Sequence, residues 1–286
     1  MNNNTLKSVT RSEKDTTMKS ETIFIRLWND YITQNPSAGK IYRLFLKEGE
    51  QVVNDHIAFR TLDYPEINID VIAKPFLSEG YVPKGEYFFK EKHLYARHFE
   101  SEKDKNAPRI FISQLILSEC SDHVRNHLNE DKWKKDHRLL SPEELIFSGS
   151  LYSPLSFAVY NSLREESEYA AWFYVFGFRA NHFTVSINSL KKYKNITAVN
   201  EFLKRNGFVL NSSGGEIKGT PGDLLQQSST LADNIAVNFI EGTIEVPCCY
   251  YEFAQRYPDQ NGKLYNGFIA KSADRIFEST DFYKKS

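Results

Sequence analysis

The chain has 286 residues, 41% hydrophobic and 26% charged, which is enough apolar material for one large domain or two fused modules and excludes global disorder. Its 36 lysines and arginines almost balance 37 aspartates and glutamates, so the net charge of -1 gives no general attraction to nucleic acid or an anionic membrane. The 3 cysteines, Cys120, Cys248 and Cys249, lack any Cys-x-x-Cys spacing, which excludes a disulfide scaffold and a thiolate zinc site.

Residues 1–20 are polar, lack the apolar core of a signal peptide and read as a loose tail. With no apolar run long enough to span a membrane, a cytoplasmic protein is expected. Residues 20–53 carry helical spacing (Ile23, Leu27, Tyr31, then Ile41, Leu44, Phe45), broken at Asn35-Pro36-Ser37. An alternating strand follows at 55–62, a helix at 67–78 stopped by Gly80, and then strands at 81–89, 93–99 and 109–117. Residues 120–178 form a charged, helical insertion containing the aromatic run Trp172-Phe173-Tyr174, which reads as helix packing. Strand, helix and strands then return: 181–187, a helix at 196–205, and strands at 208–218, 224–230 with 235–240, and 246–253, with turns at Pro221-Gly222 and Glu241-Gly242.

The expected fold is therefore α+β. Two βαβββ modules (21–119 with the preceding helices, and 179–286) form a concave, partly closed mixed sheet in one compact catalytic domain. The duplication rests on element order and on one shared detail. Each unit's first strand begins with Asx-His, Asp55-His56 and Asn181-His182.

Strand side chains alternate, so His56, Ala58 and Arg60 share one face of the first strand, opposite Ile57, Phe59 and Thr61. In the second unit His182, Thr184 and Ser186 share a face, and in the last strand Cys248, Tyr250 and Glu252 do. A glutamate in so aromatic a strand is costly without a cation as partner. His56, His182 and Glu252 thus form a candidate two-histidine, one-carboxylate site. Such a set leaves coordination positions open and suits Fe(II) that activates dioxygen, while also accepting Zn, Mn, Ni or Co. Each bound imidazole needs an acceptor for its other ring proton. Thr184, Ser186, Gln227, Ser228 and Tyr250 are candidate pocket-lining residues. In the first unit Ser113 or Gln114 stands near the place of Glu252, and neither suits iron, so one metal per chain is expected.

Four blocks carry a resemblance: 53–61 (Val-Asn-Asp-His-Ile-Ala-Phe-Arg-Thr), Asn181-His182-Phe183-Thr184, 227–233 (Gln-Ser-Ser-Thr-Leu-Ala-Asp) and 247–254 (Pro-Cys-Cys-Tyr-Tyr-Glu-Phe-Ala). In this order they resemble the 2-oxoadipate dioxygenase/decarboxylase (2-hydroxyglutarate synthase) family, within the vicinal-oxygen-chelate, glyoxalase-like superfamily. The resemblance implies Fe(II) on His56, His182 and Glu252, and a substrate-holding, catalytic arginine at Arg60. It also implies partners that are a small 2-oxo acid and O2, with 2-oxoadipate converted to 2-hydroxyglutarate and CO2. Two other readings fit the same residues: a glyoxalase-like metal-dependent lyase or isomerase, and a non-catalytic small-molecule binding module.

Overall fold

Helix α1 (Arg11–Gln34) forms because Ile23, Leu27 and Tyr31 recur every four residues and bury one stripe. The computed structural model describes the backbone of residues 11–269 and the side chains of 23–269 other than Lys135. Residues 1–10 of the expected tail lie outside the described residues, whereas 11–20 continue α1. Asn35 ends that helix and caps α2 (Pro36–Lys47), its side-chain oxygen accepting from the Ala38 amide, with Pro36 at the first helical position.

Strand β1 (Asn54–Leu62), helix α3 (Ile69–Ser78) capped by Asn68, and strands β2 (Tyr81–Phe89), β3 (Leu94–Ser101) and β4 (Arg109–Leu115) complete the first unit. The insertion holds α4 (Asp122–His127), α5 (Pro142–Leu145), α6 (Phe157–Glu166) and α7 (Glu168–Phe176). Gly177 closes α7 at φ 54°, where a Cβ would lie 2.2 Å from the Gly149 carbonyl oxygen, so no other residue fits there unaltered. The second unit comprises β5 (Ala180–Ser186), α8 (Ile196–Arg205), β6 (Leu225–Ser229), β7 (Asn234–Phe239), β8 (Gly242–Pro247) and β9 (Tyr250–Arg256).

Seven strands make one mixed, curled sheet in the order β2-β3-β4-β1-β5-β9-β6. β1 and β5 are its antiparallel seam, and each runs parallel to the last strand of its own unit, β4 or β9. Helices α1, α2, α3 and α8 cover one face. There Trp28 and Tyr31 of α1 meet Phe183 at 5.1 and 4.8 Å between ring centroids, and Trp28 meets Tyr251 at 5.9 Å. Burial of each such ring contributes on the order of 2–3 kcal/mol. The Tyr31 hydroxyl donates to the Tyr250 carbonyl at 2.5 Å, fixing β9 against the helix.

The second unit departs from the expected βαβββ pattern. Residues 208–218 make only isolated bridges, Leu210 with Thr230 and Lys218 with Gln227, because Gly214 and Gly215 turn the chain at positive φ between them. The expected pieces 224–230 and 235–240 form separate strands, β6 and β7, and the expected strand 246–253 splits between β8 and β9. β7 and β8 pair with each other as a separate hairpin, since the Asp233 amide donates to the Cys249 carbonyl and the Cys248 amide to the Asp233 carbonyl, pulling both chains off the sheet.

Candidate metal centre

The opposite face of β1, β5 and β9, where α7 lies against Arg60, carries His56, His182 and Glu252. The seam register sets His56 opposite Thr184 and Ala58 opposite His182. On the other side of β5, His182 faces Tyr250 and Thr184 faces Glu252. Three side chains distant in sequence therefore meet with ligand atoms within 4.8 Å of one another, and all are buried. The two Nε2 atoms are 3.3 Å apart; Glu252 Oε1 is 3.5 Å from His56 Nε2 and Oε2 is 3.3 Å from His182 Nε2. Ligand atoms at about 2.1 Å from an ion and at right angles are about 3 Å apart, so the spacing suits a single ion.

These contacts are not ion pairs. Burial drives the His56 pKa down despite Asp55, and burial, with His56 and Arg60 nearby, drives His182 well down. Each Nδ1 faces the Asx residue just before it in sequence: His56 Nδ1 donates to Asp55 at 2.9 Å and His182 Nδ1 to Asn181 at 3.0 Å. An ionised carboxylate only accepts, so Asp55 fixes the proton on Nδ1 and leaves the His56 Nε2 lone pair facing the centre. Burial, opposed by a 2.5 Å hydrogen bond from Gln227, pushes Glu252 up to about 8, and its Oε2 has no hydrogen-bond partner. Two imidazole lone pairs and a carboxylate that burial alone would neutralise form a donor set a cation completes. The residues fit a metal ion.

Asp55 is itself held. Burial would raise its pKa, but Arg256 and the His56 hydrogen bond keep it well below the usual carboxylate range. Arg256 donates through Nε at 2.7 Å and Nη2 at 2.8 Å, and its Nη1 donates to the carbonyls of Tyr265 and Gly267. Arg256, four residues after Glu252 on β9, thus pairs with Asp55 rather than with Glu252. Asp55 and Asn181 are the acceptors the imidazoles need, and the repeated Asx-His dipeptide is their signal in the sequence.

The family model for 2-oxoadipate dioxygenase/decarboxylase matches residues 24–149 and 143–263. The chain belongs to this family. As a 2-oxoadipate dioxygenase/decarboxylase family member it is an oxidoreductase, and its buried His/His/Glu cluster is a candidate metal site. It is 36% identical to the chloroplastic 2-oxoadipate dioxygenase/decarboxylase of Arabidopsis thaliana, over 87% of this chain and 74% of that protein. The crystal structure of the Oryza sativa hydroxyglutarate synthase in complex with 2-oxoadipate is 31% identical, with TM-score 0.85 over 99% of this chain and 97% of that one. A Shewanella frigidimarina structure described as a hydrolase is 48% identical, with TM-score 0.81 over 87% and 97%. A glyoxalase superfamily protein from Ralstonia eutropha, 19% identical with TM-score 0.68 over 88% and 86%, shares the fold.

In this family member the remaining candidate residues fall on two faces. Thr184 stands at the triad, its hydroxyl 3.1 Å from His56 Nε2, and Gln227 holds Glu252. Tyr250 stacks on His182 at 4.8 Å. Ser228 does not line the site: the alternation of β6 turns it to the helical face, where it donates to Asn200 of α8 at 2.7 Å. Ser186 ends β5 half-buried, with its amide on Val53.

Arg60 is 1% exposed. Its Nη1 donates to Glu168 at 2.8 Å, and its guanidinium lies 4.9 and 5.0 Å from the Tyr169 and Trp172 rings. Burial would lower its pKa, but Glu168 raises it further, so the cation is permanent. Trp172 is locked by its indole N–H donating to the Cys248 carbonyl at 2.6 Å.

The first unit has no matching ligand. By register, Phe111 opposite Ala58 takes the place that Glu252 holds opposite Thr184, rather than Ser113 or Gln114. Phe268 covers it at 4.8 Å and stands edge-on to His56 at 4.8 Å. A cavity of about 680 Å³ lined by Tyr87, His98 and Arg109 lies on this unit, and none of the triad lines it. Among the described residues no helix is long and apolar enough to cross a membrane.

Proposed function

We propose that the protein uses Fe(II), held by His56, His182 and Glu252, and O2 to convert 2-oxoadipate, or a 2-oxo acid close to it, to 2-hydroxyglutarate with loss of CO2. The observation that carries this is the convergence of two fixed imidazole lone pairs and a buried carboxylate in a chain of this family. The chemistry such an ion supplies when bound is dioxygen activation beside a chelated 2-oxo acid.

The chain's own residues do the rest. Asp55 and Asn181 hold the imidazoles in one tautomer, and Gln227 orients the carboxylate. Arg60 supplies a forked cation for a substrate carboxylate, a task for which lysine is a poor substitute. Burial of all these groups excludes water from the reacting carbons. Because the ligands come from β1, β5 and β9, segments 21–119, 120–178 and 179–286 are read as one catalytic unit. A cytoplasmic setting belongs to the same proposal, supported by three buried free cysteines.

The test is elemental analysis of protein prepared anaerobically without added metal, followed by O2 uptake and CO2 release with 2-oxoadipate. Iron with coupled uptake and release is expected, and His56→Ala, His182→Ala and Glu252→Ala should each lose metal. Full metal content in all three variants would overturn the site. Turnover of a 2-oxo acid without O2 would replace the reaction with a lyase or isomerase.

A further inference from the structure

Tyr250 is fully buried, and its hydroxyl has no hydrogen-bond partner among the described residues. A buried hydroxyl left unsatisfied is destabilising, so such groups persist mainly where something else uses them. Its position says what. Along the sheet, Glu252, Thr184 and His56 form one row, and Tyr250, His182 and Ala58 form the next. Arg60 stands one step further in the same direction. Each step of two residues advances about 7 Å. Tyr250 therefore stands level with His182, on the Arg60 side of His56 and Glu252, its ring stacked on the His182 imidazole with the planes 27° apart. A 2-oxo diacid chelated at the triad and extended toward Arg60 passes this hydroxyl.

We propose that the Tyr250 hydroxyl is a substrate-binding donor that shares with Arg60 the far carboxylate of the diacid, so that the two together select dicarboxylic over monocarboxylic 2-oxo acids. This rests on the reading of the triad as a metal site for a 2-oxo acid. The same strand supplies a control. The hydroxyl of Tyr251 is also buried without a hydrogen-bond partner, but its ring lies on the helical face against Trp28, Tyr31 and Phe253.

The experiment compares wild type, Tyr250→Phe and Tyr251→Phe as metal-loaded protein under nitrogen. Equilibrium binding of 2-oxoadipate and of 2-oxohexanoate, which lacks the far carboxylate, is measured beside the melting temperature without ligand. A hydrogen bond from a neutral donor to a charged acceptor predicts that Tyr250→Phe binds 2-oxoadipate about tenfold more weakly or worse. It should bind 2-oxohexanoate as wild type does and melt no lower, whereas Tyr251→Phe should bind both acids as wild type does. Unchanged 2-oxoadipate affinity in Tyr250→Phe overturns the inference, as does an equal loss for both acids. A lowered melting temperature with affinity retained assigns the hydroxyl a structural role and also overturns it. Wild-type protein that takes up iron but binds neither acid overturns the proposed function itself, and this inference with it.

Discussion

Replacing Asp55 with asparagine separates two jobs that one carboxylate performs. Asp55 accepts the His56 Nδ1 proton and two donors from Arg256, with Arg109 at 3.5 Å. An amide of the same shape has one acceptor oxygen and a pair of N–H donors. Its oxygen can keep the place of Oδ1, which accepts from both His56 Nδ1 and Arg256 Nη2, but its N–H pair then faces the Arg256 Nε and Arg109 donors, and the Arg256 charge, 3% exposed, is left without its counter-ion. Breaking a buried ion pair from one side costs about 3–5 kcal/mol. The Tyr265 and Gly267 carbonyls remain on Arg256, so the lower end of that range is expected. Changing the partner that orients a ligating histidine, here from an anionic to a neutral acceptor, typically weakens metal binding about 10–100-fold, or about 1.4–2.7 kcal/mol. Denaturant unfolding of metal-free protein measures the first effect, and competition against a chromophoric chelator measures the second. Asn181→Ala is the companion variant: it removes a neutral acceptor with no charge behind it, so metal affinity should fall while stability changes by only about 1 kcal/mol. Wild-type stability and metal affinity in Asp55→Asn would refute the reasoning. So would a stability loss in Asn181→Ala as large as that in Asp55→Asn.

Arg60→Lys keeps the charge but loses the fork and the stacking on Tyr169 and Trp172; KM for 2-oxoadipate should rise about 10-fold or more, and steady-state kinetics with an unchanged KM would count against a carboxylate-holding role. Glu241, in the β7–β8 turn, accepts from the amides of Phe157 and Ala158 and from the Ser156 hydroxyl at the start of α6, and the Phe157 amide, then Ser156, lower its pKa to about 2. A depressed carboxylate stabilises above its unfolded value, so this contribution should be present above pH ~4.5 and be lost as pH falls toward about 2. Unfolding free energies measured from pH 5 to pH 2 should therefore fall more steeply for wild type than for Glu241→Ala, and parallel curves would contradict the assignment.

Local signals made much of the fold legible. The period of Ile196, Val199, Phe202 and Leu203 and the Asn195 cap mark α8, and alternation marks β1 and β5. What alternation cannot give is pairing. The pieces 224–230 and 235–240 read as parts of one sheet until Asp233 is seen bonded to Cys248 and Cys249, and strand 208–218 fails at two glycines whose positive φ is a property of the folded backbone. The triad was readable because its three side chains each fall on a computable face. Their neighbours were harder. Asp55 meets Arg256 across 201 residues and Arg60 meets Glu168 across 108, separations at which periodicity carries no information. Counting offsets from His56 pointed to Ser113 or Gln114, whereas the hydrogen-bond register put Phe111 in that place.

The ligands' origin on β1, β5 and β9 has a consequence for the order in which the molecule comes into being. As the chain grows, His56 waits for residue 182 to be made, and the pair waits for residue 252. An ion joining these points closes loops of 126 and 70 residues at once, across the seam where one slip of register would turn a histidine to the wrong face. Capture of an ion by this triad thus follows assembly of both halves and then fastens them.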